Sequence, residues 1–203
     1  TWLSQAVDRV EQHEGAPMAL EFLEASVRAS LLALDREDEI GSTLARIRSA
    51  QIGTRRKSVF VGSMYGVRVR EFTECMRLGE GFEALVAEVR ALKLDPRRVH
   101  MAATEYYVHV AHARLHQCLH AEPEQREQRI AQFSEALDEL RRAARVPLLL
   151  GHYRALLAQL EWMREEWDDA AKSFIEAERL GIQESAPWVL YTVYRGRAHM
   201  LNA

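Results

Sequence analysis

Residues 134–145 read SEALDELRRAAR and residues 168–181 read DDAAKSFIEAERLG. Set against each other at a shift of 34 residues, Ala136 falls on Ala170 and Ala143 falls on Ala177. Seven residues make about two turns of α-helix, so both alanines of each pair occupy nearly one face. A methyl group there lets a neighbouring helix come close. Recurrence after 34 residues is the period of a helix–turn–helix unit, and it predicts an all-α chain built from stacked helix pairs.

Outward from these two segments, apolar residues recur at spacings of three and four, and Pro and Gly sit at the boundaries. The pattern predicts about ten helices. The first spans about Trp2 to His13, the second carries Leu20, Leu23, Val27, Leu31 and Leu34, and a short third follows Glu37. The fourth, about Ser58 to Leu78, contains Val59, Val61, Val67 and Val69, which partly alternate as a strand would. The helical surroundings assign it as helix. The fifth carries Phe82, Leu85, Val89 and Leu92 and is expected to stop at Asp95-Pro96. The sixth is expected from Pro96 to about His120. The seventh and eighth open at Pro123 and Pro147, as proline favours the first helical turn. The ninth begins near Trp167 and is expected to end at Gly181 as its cap, and the tenth starts near Pro187. Pairing two with three, four with five, six with seven and eight with nine leaves the first and tenth as halves of further units.

The chain has 203 residues, 48% hydrophobic and 28% charged, which is enough to bury a substantial core. Its net charge of −3 does not suggest nucleic-acid binding. The one dense basic run, Arg55, Arg56 and Lys57 before Ser58, reads as a solvated linker. Cys75 and Cys118 form neither a disulfide framework nor a zinc motif and are expected to pack as small apolar groups. No stretch approaches the ~20 apolar residues of a membrane span, so no membrane partner is expected and the reducing cytoplasm is the expected compartment. The chain opens on Thr1 rather than Met and closes directly after a helical pattern. It is therefore read as one domain, residues 1–203, of a larger protein.

The stretch from about Pro147 to Ile182 resembles a tetratricopeptide repeat. That motif asks for a bulky then a small residue on its first helix, and Ala, an aromatic and Ala on its second. Leu157, Ala158, Ala170, Phe174 and Ala177 match these places in order, while Arg154 and Glu161 depart from two others. The preceding unit keeps Ala136 and Ala143 with Leu140 for the aromatic, and Ala84, Ala91 and Pro96 match part of a unit upstream. The resemblance implies a right-handed α-solenoid whose first helices line a concave groove for a protein or peptide partner. Degenerate units with long helices resemble arrays in large bacterial signalling proteins, where they follow an ATPase or protein-kinase module.

One cluster stands out as a site. His109, His112, His116 and His120 lie within a stripe about 80° wide on the sixth helix. Glu105 precedes it by one turn. Imidazoles four apart share a transition metal when their nitrogens converge, and His112 with His116 is the pair placed to do so. Metal centres draw ligands from more than one element, which one helix does not supply. No metal or cofactor is therefore assigned, and the stripe reads first as a partner-binding face, with metal or small-ligand sensing as the alternative. No phosphate loop, nucleophile elbow or catalytic Cys–His spacing is present, so no enzyme is expected. The paired tyrosines Tyr106, Tyr107, Tyr191 and Tyr194 are expected in the core. The expected function is an interaction or regulatory scaffold.

Overall fold

A computed structural model describes residues 59–99 and 103–201, and the first three expected helices and the Arg55–Lys57 run lie outside them. The described residues hold seven helices and no strand. These are α1 (Val59–Glu74), α2 (Glu80–Ala91), α3 (Thr104–Leu119), α4 (Pro123–Ala143), α5 (Pro147–Met163), α6 (Trp167–Gln183) and α7 (Pro187–Leu201). The described residues fall into two compact units, 59–94 with 99 and 103–106, and 95–98 with 107–201.

In the first unit α1 and α2 pack together. The Phe72 ring meets Phe82 edge to face at 6.4 Å, and the Tyr65 hydroxyl donates to Glu88 Oε1 at 2.6 Å. Position rises along α1 as it falls along α2, so the pair is antiparallel. The valine-rich segment is helical as expected, with Val69 buried beside Phe82, Leu85, Val86 and Val89 in this unit's core. Ala84 and Ala91, expected as close-packing positions, are instead exposed. The stripe of Phe82, Leu85 and Val89 occupies the inward face of α2, and both alanines lie off it.

Three boundaries also differ from expectation. Helix α2 ends at Ala91, where Lys93 takes a left-handed φ of 50°, rather than running to Pro96. Pro96 opens no helix. Asp95 accepts from the Arg98 amide with its carbonyl and from the Arg97 amide with its side chain, a local turn that competes with helix there, and α3 opens at Thr104. Gly181 is likewise not a cap. Helix α6 continues to Gln183, and Ser185 takes the left-handed turn with φ 50°, the Ala186 amide reaching back to the Gly181 carbonyl at 2.8 Å. Glu165 closes α5 the same way, with φ 64° and the Glu166 amide donating to the Glu161 carbonyl. These six-to-one bonds satisfy carbonyls that a helix end leaves open, and the local strain of a non-glycine residue is carried for them.

In the second unit α4 packs on α5, α5 on α6, and α7 on both α5 and α6. The core joins Ala155 and Ala158 of α5, Phe174 and Ala177 of α6, and Ala186, Val189 and Val193 at the turn and on α7. Ala136, Ala143 and Ala170 are buried too, and Leu157 is half-buried. Close approach explains the small residues. A Cβ on Gly181 would lie 2.8 Å from Leu190 Cδ2, and one on Gly196 would lie 2.6 Å from Phe174 Cζ. These contacts make α7 antiparallel to α6. Gly151 against Val189 and the Gln159 amide donating to the Thr192 carbonyl make α7 parallel to α5. Each helix of this trio therefore touches the other two.

Candidate functional site

The histidine stripe is built on α3, whose side chains at 109, 112 and 116 recur about every turn, with His120 one turn on, just past the helix end. The fold divides it. His109 is buried, His112 and His116 are half-buried, and His120 and Glu105 are exposed. The outer two rings stack on each other at 4.1 Å, and His120 Nδ1 lies 2.9 Å from the His116 carbonyl.

The inner two rings turn toward other helices. Trp188, at the second position of α7, stacks on His112 with ring centres 4.6 Å apart and 19° between planes. It lies 5.0 Å from His109. His152 of α5 stands edge-on to the same indole at 4.8 Å and edge-on to His112 at 5.8 Å. Three helices thus bring three imidazoles and one indole together. Such pairs of flat rings favour stacked and edge-to-face contacts, which contribute beyond the area they bury.

Two nitrogens in this cluster are buried without a hydrogen-bond partner, Nε2 of His112 and Nδ1 of His152. Burial holds both rings neutral. His152 is pushed down to about 4, and His112 lies well below the ordinary histidine value, first by burial and then by His152, His109 and Arg195. Burial, His120 and Arg195 lower His116 as well. His112 and His116 are therefore both harder to charge than an ordinary histidine. Among the described residues no group of three or more His, Cys, Asp or Glu is placed to hold a metal ion. His112 and His116 differ in their contacts: one faces Trp188, the other stacks on His120.

His152 and Trp188 are the members that sequence reasoning missed. His152 stands alone in α5, and its only signal was a place on the inward face with Gly151, Ala155 and Gln159, all buried. The tyrosines divide as well. Tyr106 and Tyr107 are buried as expected, and burial pushes the Tyr107 phenol up to about 12. Tyr191 and Tyr194 are not core residues. They are 59% and 51% exposed because Val189, Thr192, Val193 and Gly196 occupy the buried face of α7. Cys118 is buried in α3, its thiol pushed up to about 11 by that burial, and Cys75 is half-buried just past α1.

Comparison with protein-family models, curated proteins and solved structures finds no match. No described helix is long and apolar enough to cross a membrane.

Proposed function

We propose that the chain is a non-catalytic interaction module of the tetratricopeptide kind, an α-solenoid of antiparallel pairs that holds a protein or peptide partner. The observation that carries this reading is the trio α5–α6–α7, in which α7 packs antiparallel on α6 and parallel on α5. A helix pair followed by the first helix of another pair has this arrangement, and stacking of that kind buries faces no pair buries alone. The buried Ala158, Ala170, Phe174 and Ala177 support the same register.

In that register α3, α5 and α7 are first helices, the ones that line the groove in tetratricopeptide arrays. His112, His152 and Trp188 come one from each. Trp188 is 40% exposed, and Tyr191 follows it one turn on, so α7 presents aromatic surface of the type enriched where proteins meet. The wider proposal is a regulatory segment of a bacterial signalling protein linked to a kinase or ATPase module, working in the cytoplasm.

Selection of peptides from a random display library against the full chain tests the reading. Binders should shift backbone NMR signals along α3, α5 and α7, and Tyr191→Ala should weaken them. Signals confined to α4 and α6, or a library that yields no saturable binder, would count against it.

A further inference from the structure

The geometry points to a metal site that the four-histidine stripe does not describe: His112 Nε2 and His152 Nδ1 together take one soft monovalent d10 cation, Cu(I), against the face of Trp188. The ligands come from α3 and α5 and the third wall from α7, all within the second unit. The proposal needs only this packing and is independent of the repeat register and of any partner.

Buried polar atoms are nearly always satisfied, and a buried imidazole nitrogen without a partner requires a reason. Here there are two, on rings 5.8 Å apart, and His152 itself is 95% removed from solvent, its relative exposure being 5%. A metal bonded to both nitrogens at about 2.0–2.1 Å separates them by roughly 4 Å, a span compatible with that spacing of ring centres. Each ring offers a lone pair at its unpartnered nitrogen once its proton sits on the other one, Nδ1 of His112 and Nε2 of His152.

Coordination number selects the ion. Zn(II) asks for four ligands, and the described residues supply no third His, Cys, Asp or Glu to a common centre. Both nitrogens are closed to solvent, so water does not readily complete a divalent shell. Cu(I) is satisfied by as few as two ligands, and imidazole suits copper. The indole face stacked on His112 favours a cation beside it through the attraction of a π-system.

The test uses the full chain with Cys75→Ser and Cys118→Ala, which removes competing thiolates, and titrates it anaerobically with Cu(I) against a chromophoric chelator. Ag(I) serves as the redox-inert probe. The expected result is one equivalent bound, quenching of Trp188 emission, and nitrogen-15 shifts at His112 Nε2 and His152 Nδ1 in histidine-labelled protein. His152→Phe, which keeps a ring in the cluster, should weaken uptake by at least the roughly 10–100-fold that loss of even an outer-shell partner costs. His116→Ala with His120→Ala should leave it intact. The NMR shifts are read on unsubstituted histidines, so they decide the matter even where His152→Phe folds poorly. Absence of saturable uptake overturns the proposal, as do shifts at His116 and His120 instead, or full affinity in a folded His152→Phe protein.

Discussion

At the scale of the residue, the burial of His152 makes stability depend on pH. An exposed histidine in the unfolded chain titrates near ~6.5, whereas burial lowers the folded value to about 4. The unfolded state then binds the proton more readily, so stability rises with pH between these values. The contribution is complete above about pH 6.5 and is lost as pH falls toward 4, by on the order of 3 kcal/mol for this ring alone. His112 adds in the same direction. Urea midpoints measured from pH 7 to pH 4 should therefore fall more steeply in the native protein than in His152→Phe. Parallel slopes would mean that the ring is solvated. The sequence contained His152 but no pattern that marked it, since an isolated imidazole on an apolar face has no periodic partner to betray it.

At the scale of the element, the alanine spacing made α4 and α6 legible, and the burial of Ala136, Ala143, Ala170 and Ala177 follows from it. The same spacing misled at Ala84 and Ala91. A small residue permits close approach without demanding it, and on α2 larger side chains claimed the inward face. Prolines marked the starts of α4, α5 and α7 correctly because the ring needs no partner for an amide it lacks. Helix ends were less legible. Lys93, Glu165 and Ser185 adopt left-handed turns that composition does not announce, while Gly181 serves close packing instead of the turn. Ala170→Leu should overpack the α5–α6 contact and cost about 1–3 kcal/mol. Lys172 is exposed and holds only a surface ion pair with Asp169, so Lys172→Leu should stay within about 1 kcal/mol of native. Chemical denaturation of the two variants compares them directly, and equal midpoints would refute the packing of Ala170.

At the scale of the whole molecule, the second unit is held by a core shared among α5, α6 and α7. Gly196 sits where α7 meets α6, with Phe174 too close to admit a Cβ. Gly196→Ala should therefore lower amide protection in α5, α6 and α7 together, by about 1–3 kcal/mol in opening free energy. Native-state hydrogen exchange reads this helix by helix. Loss confined to α7, with α5 and α6 unchanged, would show that the three do not open as one body.

By itself the sequence determined the all-helical class and the starts of most described helices, since periodicity and proline chemistry act within a few residues. It also placed four histidines on one face of α3. Only the tertiary structure decided that this face is divided, with His112 carried against His152 and Trp188 while His116 and His120 stack with each other. Those partners lie 40 and 76 residues from His112 along the chain. No local pattern connects them, because their proximity is set by how three helices pack and not by the turn of any one.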